Sequence, residues 1–201
     1  KEDELYVCTG SCEADGMNFN CNNGVAHGEI DMQAAIAKWC NGYFIQLMQQ
    51  VSPRFFLDTA FVFGFGVAHS PASGISSSAG HLPNVESLEI PRALANFSFG
   101  QGELTATPIQ IASMTRTIAA DGAYRELKAV QGMVNEELQF VRTEPAAASQ
   151  QIIARKTAAL LQSFMGEAVR SGTAQSGAPT YLEAGAKSGT AQTGRFQNGQ
   201  E

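Results

Sequence analysis

The sequence has 201 residues, a formal net charge of −6 and 44% hydrophobic residues. The hydrophobic fraction supports a sizeable core and excludes a disordered chain, and the acidic balance argues against a basic nucleic-acid-binding module. The most apolar stretch, Phe55 to Val67, is too short to span a bilayer and contains Asp58.

The N-terminal quarter predicts loops followed by helices. Residues 1 to 30 are rich in Cys, Asn and Gly, which favours a loop or a short hairpin. Asp31 is the predicted N-cap of a helix over Met32 to Val51, where apolar residues recur at three- and four-residue spacing. Pro53 predicts the start of a second helix that ends near Phe63.

The middle of the chain alternates between loops and helices. Residues 67 to 89 are rich in Ser, Gly and Pro and predict a long surface loop, followed by a short helix over Pro91 to Ala95. Thr107-Pro108 predicts the capped start of a helix that reaches Ala120. Residues 123 to 143 favour a short extended pair.

The C-terminal quarter predicts one long helix and one strand. Ala146 to Ser171 is rich in Ala, Leu, Gln and Met, which is typical of a helix. Tyr181 to Gln192 favours a strand, and the tail over residues 193 to 201 is polar.

The four cysteines leave alternatives open. Cys8, Cys12, Cys21 and His27 form a conceivable Cys3His zinc set, although they lack the two-residue spacing of most zinc sites. A Cys8–Cys21 disulfide would contribute about 3 kcal/mol by closing its loop. Buried thiols or a disulfide rank above zinc, Cys40 is placed inside the first helix, and we expect no metal site and no cofactor.

Three segments resemble the transpeptidase domain of penicillin-binding proteins. Lys187-Ser188-Gly189-Thr190 looks like the family's Lys-(Thr/Ser)-Gly-Thr strand, and Phe99 to Gln110 is similar to its Gly-Gln-Gly…Thr-Pro-Leu-Gln segment. Ala34 to Phe44 resembles the helix that carries its Ser-x-Asn motif. A lone Lys-Ser-Gly-Thr is a weak signal, but three segments in this order make a strong one.

The resemblance implies a fold and a domain division. The expected fold is mostly α with little β: the helical subdomain of the α/β β-lactamase/transpeptidase-like fold, plus the strand with Lys-Ser-Gly-Thr. Residues 1–201 would be a partial transpeptidase domain, with a mainly helical subdomain over 1–180 and the active-site strand over 181–192. We also expect this strand to pair with another segment or another chain, or to be poorly ordered, since a lone strand has unpaired edges.

The resemblance also implies roles for individual residues. Lys187, Ser188, Gly189 and Thr190 would bind the substrate, because a lysine and adjacent hydroxyls suit the carboxylate of a D-Ala-D-Ala terminus. Asn41 would be the Asn of Ser-x-Asn and bind the substrate amide.

Two departures from the family pattern concern the reaction itself. None of the five lysines has a serine three positions before it, so the chain has no Ser-x-x-Lys nucleophile motif. Trp39 occupies the serine position of Ser-x-Asn, and an indole N–H donates but cannot accept a proton. We therefore expect the nucleophile to lie upstream of Lys1 and the chain alone to be inactive.

The leading functional hypothesis is thus a fragment of a peptidoglycan D,D-transpeptidase that works through a serine acyl-enzyme. Its expected partners are the D-Ala-D-Ala stem peptide and β-lactams, with no nucleic acid. Its expected location is the extracytoplasmic face of the bacterial membrane, reached through an upstream anchor. Two alternatives are a non-catalytic sensor or binding module for β-lactams or peptidoglycan, and a relative of the serine β-lactamases.

Overall fold

The protein is described by a computed structural model that covers residues 3–21, 24–90, 92–141 and 147–189. It divides into two compact units. The first unit comprises Lys1–Phe56, Pro83–Leu104 and Leu160–Glu201. The second unit comprises Leu57–Leu82 and Thr105–Ala159.

Two antiparallel strand pairs open the first unit, as the predicted hairpin region suggested. Strands β2 (Ser11–Ala14) and β3 (Met17–Asn20) form a hairpin around Asp15-Gly16. Both turn residues have positive φ, 51° and 70°, which is the geometry that Asp-Gly hairpin turns adopt. Strand β1 (Tyr6–Cys8) pairs with β4 (Gly28–Ile30), so the two ends of this region meet.

The predicted helix over Met32 to Val51 is in fact two helices. Helix α1 spans Met32–Lys38, and the Asp31 carboxylate caps it by accepting a hydrogen bond from the Ala34 N–H at 2.8 Å. Trp39 then adopts a left-handed conformation (φ 56°, ψ 60°), and α2 spans Asn41–Met48. A left-handed residue cannot continue a right-handed helix, so the chain turns at Trp39. The apolar spacing continues across this turn and therefore does not reveal it.

The next three helices are short. Helix α3 spans Pro53–Val62, in agreement with the predicted start at proline. Helix α4 (Val85–Leu88) lies within the segment predicted to be a loop, and α5 (Ala93–Ser98) lies slightly beyond its predicted position.

Helix α6 (Pro108–Ala119) forms as predicted from its local cap. Thr107 and Gln110 make a reciprocal capping box, in which each side chain bonds the backbone N–H of the other residue. The Gln110 side chain is fully buried, and its amide also donates to the carbonyls of Gly64, Val67 and Ala79 at 2.8 to 3.1 Å. This one side chain therefore fixes the loop that follows α3 to the start of α6.

Very short strands complete the second unit. Strand β5 (Ala123–Tyr124) pairs with β8 (Gln150–Gln151), and β6 (Met133–Val134) pairs with β7 (Phe140–Val141). The predicted extended pair is thus present, although one partner strand lies further along the chain.

Two C-terminal predictions are corrected. Helix α7 spans Arg155–Arg170 rather than beginning at Ala146, because β8 occupies residues 150 and 151. Residues 181–189 form no strand, and their backbone contact is the Ala186 N–H donating to the Met165 carbonyl at 3.0 Å. The rest of the predicted strand and the polar tail lie outside the described residues.

The core of the first unit forms where its strands meet the α1–α2 corner. Its buried members are Cys8, Cys21, Ile30, Ala35, Cys40 and Tyr43. Within the described ranges, no helix is both long and apolar enough to cross a bilayer.

Candidate functional site

The C-terminal segment of the first unit brings Lys187 onto the corner between α1 and α2. The ammonium nitrogen of Lys187 lies 4.4 Å from the centroid of the Trp39 ring, within the range of a cation–π contact. Burial of the ammonium lowers the pKa of Lys187 to about 8. A depressed pKa of this kind is typical of functional lysines, and Lys187 also donates to the Ser188 carbonyl at 3.1 Å.

Two residues after α7 hold this segment in place. The Thr173 N–H donates to the Ala37 carbonyl at 2.9 Å, and the Thr173 hydroxyl lies 2.6 Å from the Ser188 hydroxyl. Gly172 makes the approach to α1 close, since a Cβ at this position would lie 2.3 Å from the Ala37 carbonyl oxygen. Sequence analysis gave Thr173 no role, and nothing local in the sequence points to this contact.

Asn41 is the first residue of α2 and lies two positions after Trp39. Its amide nitrogen donates to the Asn20 carbonyl at 3.2 Å. Its side-chain oxygen is buried and has no hydrogen-bond partner among the described residues. A buried acceptor without a partner is costly, and a ligand donor would relieve that cost.

The remaining predicted site residues have few contacts. A Cβ at Gly189 would meet no atom within 4 Å, so neighbouring described residues do not explain the glycine there. Thr190 lies outside the described residues. The structure thus places Lys187 against Trp39, two residues before Asn41, and Ser188 against Thr173.

The Gly-Gln-Gly segment follows α5 in the first unit. Gly100 and Gly102 both have positive φ, 82° and 94°, a conformation that favours glycine over other residues. Between them, the Gln101 N–H donates to the Asn96 carbonyl at 2.9 Å. The backbone conformation therefore explains why both positions of this motif are glycine.

A separate cluster of sulfur and nitrogen atoms lies in the core of the first unit. It contains Cys8, Cys21, His27 and Cys40, whose potential ligand atoms all lie within 4.8 Å of one another. The His27 Nδ1 is 3.4 Å from the sulfurs of both Cys8 and Cys21, and the Cys21 sulfur is 3.6 Å from that of Cys40. The three cysteines are buried, and His27 is half-buried.

This cluster differs from the set considered in the sequence. Cys40, which was placed inside a helix, takes part, and Cys12 does not. All four cysteines are free thiols in the structure, and the Cys8–Cys21 disulfide is not present in it. The sequence did not predict the close approach of these four groups.

The local environment acts differently on two of these thiols. Burial raises the pKa of the Cys40 thiol, and the neighbouring Cys21 adds to this effect. Burial also acts to raise the pKa of Cys8, but hydrogen bonds from the backbone N–H groups of His27 and Gly10 hold it below its ordinary value. The fold thus supplies hydrogen-bond donors that stabilise the thiolate form of Cys8.

Comparison with known proteins places these features in a family context. The family model described as "Penicillin binding protein transpeptidase domain" matches residues 2–201. A peptidoglycan D,D-transpeptidase, PbpA, of Mycolicibacterium smegmatis is 28% identical over 167 residues, which is 82% of this chain and 33% of that protein. Stage V sporulation protein D of Bacillus subtilis is 26% identical over 196 residues, covering 96% of this chain and 29% of that protein. The chain thus spans about a third of the curated relatives it matches.

Solved structures show the same fold. The D,D-transpeptidase domain of a peptidoglycan glycosyltransferase from Eggerthella lenta matches with a TM-score of 0.83 at 21% identity, covering 98% of this chain and 49% of that one. The imipenem acyl-enzyme complex of penicillin-binding protein A from M. tuberculosis matches with a TM-score of 0.77 at 20% identity, covering 91% and 42%. At these identities, the likeness concerns the fold.

Proposed function

The chain belongs to the penicillin-binding protein transpeptidase domain family, and we propose that it forms part of a peptidoglycan D,D-transpeptidase. The intact enzyme would attack a D-Ala-D-Ala stem peptide, form a serine acyl-enzyme and pass the acyl group to an amine or water. β-Lactams would acylate the same serine. The observation that carries this proposal is the position of Lys187 and Ser188 beside the Trp39–Asn41 corner.

Each residue in this proposal has a chemical role. The Lys187 ammonium and the Ser188 hydroxyl bind the terminal carboxylate of the substrate, since charge-assisted hydrogen bonds are the strong ones. The side-chain oxygen of Asn41, which has no partner in the described part of the chain, accepts a hydrogen bond from the substrate amide. No atom of the described residues lies within 4 Å of a Cβ placed on Gly189, which leaves room for the substrate backbone on that side. Thr190 would add a further hydroxyl.

The nucleophile is supplied by residues outside this sequence. The 201 residues contain no Ser-x-x-Lys, and the curated relatives are about three times as long as the matched region. On this proposal, the chain alone is inactive, and an upstream anchor holds the enzyme at the outer face of the cytoplasmic membrane.

The test compares lysine variants in the full-length protein that contains this chain. We expect Lys187→Ala to slow acylation by a fluorescent penicillin about tenfold or more, because a hydrogen bond to a charged group contributes about 1.5–3 kcal/mol. Lys187→Arg should retain part of the rate, since it keeps the charge. Lys156→Ala, at an exposed position of α7, is the control. Equal acylation of Lys187→Ala and the wild type would contradict the proposed role.

A second candidate function is a non-catalytic module that binds β-lactams or peptidoglycan. Trp39 favours it, because an indole cannot relay a proton and its ring covers Lys187. The same full-length protein separates the two candidates. Saturable but reversible penicillin binding without a covalent adduct favours the binding module, and a covalent adduct favours the enzyme.

A further inference from the structure

The strongest feature outside the proposed substrate site is the cluster of Cys8, Cys21, His27 and Cys40. We propose that these four residues bind a structural zinc ion in tetrahedral Cys3His coordination. The site is independent of the acyl-transfer chemistry proposed above, and it uses no residue of the substrate-binding set.

The separations between ligand atoms fit this geometry. Zinc–sulfur bonds of about 2.3 Å and a zinc–nitrogen bond of about 2.0 Å place tetrahedral ligands about 3.8 Å apart for two sulfurs and about 3.5 Å apart for sulfur and nitrogen. The corresponding distances here are 3.6 Å between the sulfurs of Cys21 and Cys40, and 3.4 Å from His27 Nδ1 to the sulfurs of Cys8 and Cys21. All four ligand atoms lie within 4.8 Å of one another, so small side-chain shifts would bring the remaining pairs to these spacings.

The fold brings the ligands together from separate elements. Cys8 ends β1, and the β1–β4 register sets it opposite Gly28, the residue after His27. The Cys21 N–H donates to the Gly10 carbonyl at 2.9 Å, which holds the residue after β3 beside the link between β1 and β2. Cys40 follows the left-handed Trp39 and is the N-cap residue of α2, which turns its sulfur towards Cys21 at 3.6 Å.

Hydrogen bonds and charge around the cluster also suit an ion. Thiolate ligands accept backbone N–H bonds, and Cys8 receives them from His27 and Gly10. Binding Zn²⁺ would release up to three thiol protons, with no change of oxidation state, and leave a net charge of −1 on the four-ligand centre. Lys38 is close enough to act electrostatically on His27, so a positive charge lies near that centre.

The ion would have a structural role near the substrate site. It would tie β1, the end of β3 and the residue before β4 to Cys40, which directly precedes Asn41. All four positions are filled by protein groups, so no open position remains for a catalytic water. The metal would thereby fix the corner that carries Trp39 and Asn41.

The chain offers a matched control for the test. Cys12 is the one cysteine outside the cluster, although it lies between two of the ligands in sequence. The wild-type chain and the Cys8→Ser, Cys40→Ser and Cys12→Ser variants would be produced with zinc in the medium and their metal content measured by mass spectrometry. We expect about one zinc ion per chain in the wild type and in Cys12→Ser, and its loss in the other two variants.

A second measurement covers the case in which a ligand variant fails to fold. Reduced, metal-free wild type would be titrated with Co²⁺ alone, and tetrahedral thiolate coordination should produce strong visible absorption at one equivalent. Absence of both zinc and this absorption would overturn the proposal. It would also be overturned by loss of zinc in Cys12→Ser with retention in Cys40→Ser, or by an intact mass showing that wild type isolated without reductant holds a disulfide and no metal.

Discussion

The ammonium of Lys187 rests against the indole of Trp39, and two opposing effects act on its proton. The cation–π contact favours the charged form by about 0.5–1 kcal/mol, which corresponds to less than one pH unit. Burial favours the neutral form and dominates, since the pKa falls from an ordinary value of 10.5 to about 8. Burial therefore outweighs the cation–π contact in setting the charge of Lys187, and we infer that the indole covers part of the ammonium of this otherwise exposed residue.

Removing this cover should raise the pKa of Lys187. We expect Trp39→Ala to move it from about 8 towards 10.5, and Trp39→Phe to leave most of the depression in place. The measurement is the pH titration of the lysine side-chain resonance by NMR, assigned with Lys187→Arg. An unchanged titration in Trp39→Ala would show that the indole does not bury the ammonium.

The same shift sets the sign of two pH dependences. Substrate-carboxylate binding requires the ammonium, so it should weaken as the pH rises through about 8. Between about pH 8 and pH 10.5, Lys187 is protonated in the unfolded chain but largely neutral in the folded chain. The free energy of unfolding therefore increases with pH over this range. Trp39→Ala should flatten this rise.

Some residue-scale features follow from the sequence because their causes are local. The Asp31 cap and the Thr107 cap each depend on residues within three positions, and both form as predicted. The contact of Lys187 with Trp39 and the arrival of Cys40 beside Cys21 join residues far apart in the chain. The cluster also lacks closely paired cysteines, so spacing alone selected Cys12 in error.

At the scale of elements, apolar periodicity predicted where helices lie better than where they end. The pattern over Met32 to Val51 is continuous, yet Trp39 turns left-handed and separates α1 from α2. A left-handed tryptophan is an outlier for a bulky side chain, and such strain concentrates at functional sites. Here it falls on the position where the family pattern has a serine.

The packing of the end of α7 on α1 depends on one glycine. A Cβ at Gly172 would lie 2.3 Å from the Ala37 carbonyl oxygen and 2.9 Å from the Ala168 Cα, and both are backbone atoms that cannot rotate away. We expect Gly172→Ala to lower the free energy of unfolding by about 1–3 kcal/mol, the usual cost of overpacking. Chemical denaturation followed by Trp39 fluorescence measures it, since Trp39 is the single tryptophan.

Gly177 is the matched control for this substitution. It follows closely in the same chain segment, but a Cβ there would meet no atom within 4 Å. Gly177→Ala should therefore leave stability nearly unchanged. Equal effects of the two substitutions would mean that the α7–α1 approach does not limit stability. Because Thr173 follows Gly172 and bonds Ser188, Gly172→Ala should also disturb the Lys187 segment.

At the scale of the whole molecule, the three family segments identified the family, and the division into two compact units is visible only in the structure. The described residues form two units, and the chain passes between them at the boundaries after Phe56, Leu82, Leu104 and Ala159. Sequence order predicts such interleaving poorly, because each unit collects segments that are distant in the chain. The strand predicted over residues 181–192 does not form over the described residues 181–189.

The absence of a Ser-x-x-Lys from the whole sequence leads to a direct prediction about reactivity. β-Lactams acylate an activated serine, and activation requires a neighbouring base. The only comparable spacing is Ser113-Met-Thr-Arg116, where arginine stays protonated and Ser113 is fully buried.

The 201-residue chain should therefore gain no mass on incubation with penicillin, as measured by intact-protein mass spectrometry. The full-length protein, treated identically, should gain one penicilloyl group. An adduct on the 201-residue chain, mapped to any of its serines, would show that the nucleophile lies within this sequence after all.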